Sequence, residues 1–190
     1  MEHKGTVRIE TARLILRRFT AQDYESVFRN IESDHEMTKY LTWQASDELS
    51  TAVAVVDSWA KSYEKSDFYH WAIVPKDIGE PIGAISAVGV NERLARVEIG
   101  YCLGCPWWHR GYASEALAAI IPFFFEQVKV NRIQSLHDIA NPNSGKVMLK
   151  CGLKYEGTLR ANDYNNQGIV DACIYGMLAS DYFAEDKAKR

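Results

Sequence analysis

The chain has 190 residues, of which 47% are hydrophobic and 25% charged, with a formal net charge of −3 and a pI near 6.0. This composition predicts one globular domain over residues 1–190 that buries its own core, with a charged tail at 181–190 that frays. The mildly acidic balance excludes a general nucleic-acid binder, which carries a basic face. No apolar run approaches the roughly 20 residues of a membrane span, and the N-terminus lacks a secretory signal. We therefore expect a cytoplasmic protein with neither nucleic-acid nor membrane partners.

In the first half of the chain, residues 13–19 alternate and predict a strand, and Thr20 is a suitable N-cap for a helix over 21–33. A single helical turn is expected within 35–43. Residues 46–65 predict a long helix. Its apolar face repeats at spacings of three and four, comprising Leu49, Val53, Val56, Ala60 and Tyr63.

From residue 66 the hydrophobic period changes to two, which indicates strands. Strands over 68–74, 81–90 and 95–103, joined by short turns, predict an antiparallel meander. A helix over 113–128 then leads to a strand over 132–138, and this βαβ unit makes the strands at 95–103 and 132–138 parallel.

The last quarter predicts a helix over 141–151, opened by Asn141-Pro142 and stopped by Gly152. Strands over 153–160 and 169–178 would close the fold as a hairpin around a polar loop at 161–168. The element order predicts an α+β (mixed α/β) fold. Its central sheet is mixed but largely antiparallel, has about seven strands and carries helices on both faces.

One stretch of this order is suited to binding an anion. The run His109-Arg110-Gly111-Tyr112-Ala113 joins a strand to the start of an apolar helix. Unpaired N–H groups and the dipole of a helix start favour negative charge, and Gly111 lets the backbone approach a ligand. We therefore predict a phosphate-bearing ligand at this turn.

The four cysteines allow two interpretations. Cys102 and Cys105 form a CxxC pair, but a zinc site needs a second close pair, and Cys151 and Cys173 are isolated from each other. We predict free thiols and no bound metal.

Two motifs and the opening of the chain resemble a known family. PWWHRGYASEAL is followed after about thirty residues by NPNSGKVMLKCGLKYEG, and the chain opens with TARLILRRFTAQD. Together they resemble the GNAT acyl-CoA N-acyltransferases, and within them the RimJ/RimL-type branch. The likeness extends from about residue 8 to 178.

The resemblance implies that the turn is a pyrophosphate-binding loop for acetyl-CoA. The family pattern Q/R-x-x-G-x-G/A becomes Trp108 to Ala113 here, with Trp in the first position. Backbone N–H groups would hold the phosphates, and two basic side chains would add charge. The implied contacts are His109, Arg110, Gly111, Tyr112, Ala113 and Ser114. The alternative is an ordinary Gly-Tyr turn before a core helix.

The resemblance also implies that the strands at 95–103 and 132–138 splay apart because of a bulge, for which Gly100 is suited. The pantetheine arm would lie in the gap and bond to the backbone of Tyr101, Cys102 and Leu103. One of these N–H groups would polarise the acetyl carbonyl.

The later helix matches an N-x-x-S element through Asn141 and Ser144. The resemblance implies that Asn141 reaches the cofactor and that Ser144 bonds or protonates the departing thiolate. Asn143 and Lys146 would contact the rest of the cofactor. A plain N-cap is the alternative for Asn141. Many members carry a catalytic tyrosine four residues after the serine, where this chain has Met148.

Glu98 is the first candidate for the proton acceptor, and a solvated strand carboxylate is its alternative. His70 and His137 are weaker candidates, and Asp138 and Tyr164 could line the acceptor pocket.

The sequence thus predicts an acetyl-CoA-dependent N-acetyltransferase in which a primary amine attacks directly. The acceptor is a protein N-terminus or a small molecule. The alternatives are a polyamine or aminoglycoside acetyltransferase of the same fold and an inactive CoA-binding sensor. Dimeric relatives make a homodimer an alternative to a monomer.

Overall fold

The structure is a computed structural model that describes the backbone of residues 1–189 and the side chains of residues 1–184. The strands are β1 Ile9–Glu10, β2 Leu14–Arg17, β3 His70–Pro75, β4 Gly83–Asn91, β5 Arg96–Leu103, β6 Arg132–Asp138, β7 Lys154–Asn165 and β8 Gly168–Leu178. They form one eight-stranded sheet in the order β1-β2-β3-β4-β5-β6-β8-β7. The predicted fold class is confirmed, and the additional strand is the two-residue β1 at the edge of the sheet.

The helices are α1 Tyr24–Val27, α2 His35–Thr38, α3 Leu49–Ser62, α4 Tyr112–Pro122, α5 Pro142–Lys150 and α6 Ala179–Lys189. π-helical segments extend two of them, Phe28–Glu32 after α1 and Phe123–Val128 after α4. The tail predicted to fray is therefore helical up to Lys189, and Arg190 lies outside the described residues. Within the described residues, no helix combines the length and hydrophobicity that a membrane crossing requires.

Helices cover both faces of the sheet, as predicted. On one face, α4 and α5 pack over a core that includes Trp71, Ile99, Leu117 and Phe124. On the other face, α1 to α3 cover a smaller core around Val27, Val56 and Val74. The sheet is thus buried on both sides, which fixes the position of its central strands.

The buried face of α3 agrees with the predicted one at Val56 and Tyr63 and differs at the other predicted positions. Ala52 and Val56 are buried, whereas Leu49 and Val53 are 42% and 39% exposed and Ala60 is also exposed. The helix is rotated because Trp59 packs its ring 4.5 Å from Phe19 and 4.4 Å from His70, measured between centroids. A single large aromatic contact thus outweighs several aliphatic residues in setting the face.

The meander of β3, β4 and β5 and the parallel pairing of β5 with β6 are both confirmed. The parallel pairing covers only Arg96–Glu98 against Arg132–Gln134. Immediately beyond it, the hydroxyl of Ser135 donates to the carbonyl of Ile99 at 2.6 Å. A side chain thus occupies an acceptor that a ladder bond would use, and the two strands separate from this point, as the resemblance implies.

The bulge beside this gap is not at Gly100. The register shift lies in β4 between Ala87 and Gly89, which leaves Val88 as the extra residue. A Cβ on Gly100 would lie 2.9 Å from Cγ1 of Val88. Gly100 is therefore needed to accommodate the neighbouring bulge, and the prediction that β5 itself bulges there is wrong.

The loop predicted at 161–168 is mostly strand. β7 continues to Asn165 with an irregularity between Leu159 and Asp163, so only residues 166–167 turn. The amide of Asn166 donates to the carbonyls of Thr38 and Trp43 at 2.8 and 2.9 Å. This tertiary contact holds the hairpin tip against the segment that follows α2.

His70 should make stability pH-dependent. Its Nε2 is buried without a hydrogen-bond partner, among Phe19, Trp59 and Phe68, and burial lowers the pKa of His70 from 6.5 to about 4. The folded state therefore resists a proton that the unfolded chain accepts. The contribution of neutral His70 to the free energy of unfolding is fully present above pH 6.5 and decreases as the pH drops towards 4.

The free energy of unfolding of the wild type should be lower at pH 5.0 than at pH 7.5. We expect this difference to be smaller in His70→Leu, by up to about 2 kcal/mol. Urea unfolding at both pH values measures this difference. His35→Gln serves as a control because His35 is 72% exposed, and that variant should keep the wild-type difference. An unchanged difference in His70→Leu would contradict the assignment.

Candidate active site

A cavity of about 480 Å³ lies at the open end of the gap between β5 and β6. The end of β5, the turn before α4, the first turn of α5 and the segment from α2 to Leu41 form its walls. Its volume is within the range of small-molecule and cofactor sites. The cavity is therefore the candidate site.

Most of the residues predicted to bind a cofactor lie on this cavity. Those that line it are Tyr101, Cys102, Leu103, His109, Gly111, Tyr112, Ala113, Ser114, Asn141, Asn143, Ser144 and Lys146. Arg110 is exposed and does not line it. The fold therefore brings together three segments that are separated by up to about forty residues in the sequence.

The turn before α4 has the backbone geometry of an anion site. Gly111 is the N-cap of α4 with φ +82°, and no side chain caps this helix start. His109 also has a positive φ of 60°, which is rare outside glycine. The first N–H groups of α4 thus remain available at the cavity, where the helix dipole favours negative charge.

A hydrogen-bond network formed by Arg13 and Glu115, which the sequence did not predict, holds this turn in place. Glu115 in α4 accepts bonds from the backbone N–H and Nε of Arg13, at 2.9 and 2.7 Å. Arg13 also donates to the carbonyl of Arg110 at 3.1 Å and lies 4.7 Å over the ring of Tyr112. Burial raises the pKa of Glu115, but the bonds from Thr11 and Arg13 outweigh it, so the pKa is lowered overall.

Trp108, the unusual first residue of the loop pattern, folds back onto β5. Its indole N–H donates to the carbonyl of Leu103 at 2.6 Å. That carbonyl already accepts one hydrogen bond, so a ligand that bonds to it would share it with Trp108. The backbone groups of Tyr101, Cys102 and Leu103 remain the predicted contacts of a pantetheine arm.

The start of α5 presents polar groups to the cavity. Asn141 is the N-cap residue, but its side chain makes no capping bond, so the plain N-cap alternative is not what the structure has. Lys146 donates to the side chain of Asn143 at 3.1 Å. The amide of Asn141 is thus available to a ligand, and Lys146 adds positive charge on the same wall.

Ser144 has a partner that sequence reasoning missed. The hydroxyl of Tyr101 lies 2.9 Å from Ser144 Oγ and 2.8 Å from the Ser144 carbonyl. Met148, which stands where many relatives have a tyrosine, is fully buried in the core. In the sequence, Tyr101 was distinguished only by its position at the end of β5. That position predicted a contact through its backbone and not through its side chain.

The predicted proton acceptor lies away from the cavity. Glu98 is on the part of β5 that is still paired with β6, and it accepts a bond from Gln134 at 2.6 Å. Three residues of extended strand, about 10 Å, separate it from Tyr101, the first residue of β5 that lines the cavity. His137, Asp138 and Tyr164 do not line the cavity either.

Glu32 is a carboxylate that the sequence did not single out. It is 4% exposed, at the end of the π-helical segment after α1, and burial raises its pKa. Its charge contributes, after the larger effect of burial, to the raised pKa of Cys102, which is about 12. A weakly acidic carboxylate thus lies near the cavity wall.

The cysteines do not form a common site. Cys105 donates its thiol to Asp34 at 3.2 Å, and Cys151 donates to the carbonyl of Ser114 at 3.2 Å. No group of three or more potential metal ligands occurs among the described residues.

Comparisons with known proteins find similar sequences and similar folds. The sequence profile of the acetyltransferase (GNAT) domain matches residues 13–154. An uncharacterized N-acetyltransferase of Bacillus subtilis (strain 168), YoaA, is 31% identical over 170 residues, which cover 90% of this chain and 96% of that protein.

Two further relatives have names that describe an activity. A ribosomal-protein-serine acetyltransferase of Escherichia coli (strain K12) is 29% identical over 99 residues, covering 52% of this chain and 55% of that protein. The solved structure of RimL, a ribosomal-protein alpha-N-acetyltransferase in complex with coenzyme A, superposes with a TM-score of 0.81 at 16% identity. That superposition covers 92% of this chain and 99% of the other, and it shows likeness of fold.

The Arg13 network makes a prediction about the turn. Arg13→Met removes the side-chain bonds to Glu115 and to the Arg110 carbonyl but keeps the backbone bond to Glu115, so the turn should open more easily by about 1–2 kcal/mol, or roughly tenfold. Hydrogen–deuterium exchange of the Glu115 amide, which donates to the carbonyl of Gly111, measures this. Arg8→Met, which breaks an exposed pair with Glu10, should leave the exchange of this amide unchanged. Equal exchange in the two variants would show that Arg13 does not hold the turn.

Proposed function

This chain belongs to the GNAT acetyltransferases, and from that premise we propose that it transfers the acetyl group of acetyl-CoA directly to a primary amine. The observation that carries the proposal is the cavity at the strand gap. It has an uncapped helix start on one wall and Asn141 and Ser144 on another. We further propose that the protein acts in the cytoplasm.

The residues present fit acetyl-CoA. Gly111 and the N–H groups that follow it suit the diphosphate, and Lys146 and His109 add positive charge. The gap beyond Glu98 leaves an edge of β5 for an extended pantetheine arm to bond. Acetyl-CoA would supply an activated thioester, and Ser144 would donate a hydrogen bond to its leaving sulfur.

We propose a protein N-terminal α-amine as the acceptor. A second, polar cavity of about 380 Å³ adjoins the first and shares Glu36 and Lys39 with it. Its other walls are α2, residues 44–45 and the hairpin tip at Asn166 and Gln167. Such a space is suited to binding the residues that follow the N-terminal amine of a protein. A small-molecule amine has no such residues. The names of the ribosomal-protein relatives point the same way.

We propose a carboxylate as the proton acceptor and keep two candidates. Glu98 could act only through water, because it is bonded to Gln134 outside the cavity. Glu32 does not line the cavity either, but its charge acts on Cys102, which does, and the raised pKa of Glu32 suits a base. The pH dependence of kcat in Glu32→Gln and Glu98→Gln distinguishes them.

A screen for thiol release from acetyl-CoA tests the function. Peptides with a free N-terminal serine should be acetylated at the α-amine, as checked by mass spectrometry. The matched N-formylated peptides should be inert. Ser144→Ala should lower kcat about 10–100-fold with little change in the affinity for coenzyme A.

The other outcomes of this screen decide against the proposal. Turnover of polyamines or aminoglycosides alone would show a small-molecule enzyme. Binding of coenzyme A with no turnover of any amine would favour a sensor. Equal turnover by Ser144→Ala would remove the serine from the mechanism.

The cofactor loop has its own test, because the chain contains a matched control glycine. Gly111 and Gly79 both have positive φ, +82° and +78°, so an aspartate strains the backbone similarly at each. Only Gly111→Asp places a carboxylate at the proposed diphosphate site. Calorimetry should show coenzyme A affinity reduced more than about tenfold in Gly111→Asp and unchanged in Gly79→Asp. Unchanged affinity in both would contradict the loop assignment.

A further inference from the structure

We propose that the side chain of Tyr101 is a positioning residue that aims the hydroxyl hydrogen of Ser144 into the cavity. The inference rests on the proposed function, because it assigns a role within the same site. The sequence predicted a role for the backbone of Tyr101 alone, whereas in the structure its hydroxyl also contacts Ser144.

The two side chains meet across the strand gap. Tyr101 projects from β5 and Ser144 from the first turn of α5, and their hydroxyl oxygens are 2.9 Å apart. The phenol oxygen also lies 2.8 Å from the Ser144 carbonyl. Both distances are those of good hydrogen bonds.

The number of hydrogens restricts how these bonds are made. The phenol has one hydrogen, and a carbonyl can only accept. If the phenol donates to the carbonyl, the Ser144 hydroxyl must donate back to the phenol. If the phenol instead donates to Ser144 Oγ, the serine hydrogen is free for a ligand in the cavity. The second arrangement gives up the bond from the phenol to the Ser144 carbonyl, and an acceptor in the cavity replaces it by accepting from the serine hydroxyl.

The phenol remains a donor throughout. Burial raises the pKa of Tyr101 well above its usual range, so the group keeps its proton at any physiological pH. A donated hydrogen bond polarises the serine hydroxyl and makes it a stronger donor in turn. Tyr101 thus acts through Ser144 without losing its own proton.

Close packing keeps α5 within reach of Tyr101. A Cβ on Gly145 would lie 2.6 Å from His137 Nε2 and 2.7 Å from the hydroxyl of Tyr175. Only glycine allows the helix to approach β6 and β8 this closely. The residue before it, Ser144, is therefore held at a fixed distance from β5.

In the reaction, the amine nitrogen bonds to the acetyl carbon and the carbon–sulfur bond breaks, with its electron pair moving to sulfur. The amine loses one proton to the carboxylate, and the departing thiolate takes one proton from solvent, so that the products are the amide and the free thiol. Ser144 stabilises the charge that develops on sulfur, and Tyr101 directs Ser144 towards it.

A double-mutant cycle tests this with a matched control. Tyr101→Phe should lower kcat about tenfold, the equivalent of one hydrogen bond. Tyr63→Phe also removes a buried hydroxyl, one bonded to Phe19 N–H and the His70 carbonyl, and should leave kcat unchanged. In the Ser144→Ala background, Tyr101→Phe should change kcat less than about twofold. Independent losses in the double variant would overturn the proposal, as would an equal loss in Tyr63→Phe.

A binding measurement provides a readout without turnover. Wild-type protein should bind coenzyme A more tightly than desulfo-coenzyme A at pH 8, because Ser144 bonds the sulfur. The ratio of the affinities for coenzyme A and desulfo-coenzyme A, measured by calorimetry, should be smaller in Tyr101→Phe than in the wild type. Tyr63→Phe should keep the wild-type ratio. An unchanged ratio in Tyr101→Phe overturns this inference alone. Failure of the wild type to bind either compound overturns the proposed function with it.

Discussion

The separation of β5 from β6 is the constraint on which the rest of the site depends. The two strands pair through Arg96–Glu98 and Arg132–Gln134, and the Ser135 hydroxyl then occupies the Ile99 carbonyl. Beyond that bond β5 remains paired only with β4, and β6 only with β8. The sheet therefore holds an open edge inside an otherwise buried core, where exposed backbone groups need partners. A ligand that lies in the gap can supply them.

The flanks of the gap are held by contacts that leave the gap open. On one side, Arg13 and Glu115 hold the turn before α4, in which the positive φ of the non-glycine residue His109 would otherwise favour relaxation. On the other side, Gly145 lets α5 pack tightly on His137 and Tyr175. Rigid walls of this kind reduce the ordering that binding would require.

Charge is distributed unevenly around the cavity. The wall formed by α5 and the turn before α4 carries Lys146, His109 and a helix N-terminus, which suit an anionic ligand. On the side of α2, Glu36 and Lys39 both line the cavity, and Glu32 is buried with a raised pKa but does not line it. An anion at the first wall would meet complementary charge, whereas the wall at α2 carries both signs of charge.

The sequence by itself determined the fold class, the meander and the parallel βαβ unit, because the hydrophobic period is a local property. Its family resemblance also indicated the end of β5, the turn before α4 and the start of α5, but not the cavity wall from α2 to Leu41. The buried face of α3, the position of the bulge at Val88 and the Tyr101–Ser144 bond were decided only by tertiary structure. Each depends on a partner distant in the sequence, such as Phe19 for Trp59 or α5 for Tyr101. The placement of Glu98 outside the cavity has the same cause, since the length of the β5–β6 pairing decides which strand residues face the gap.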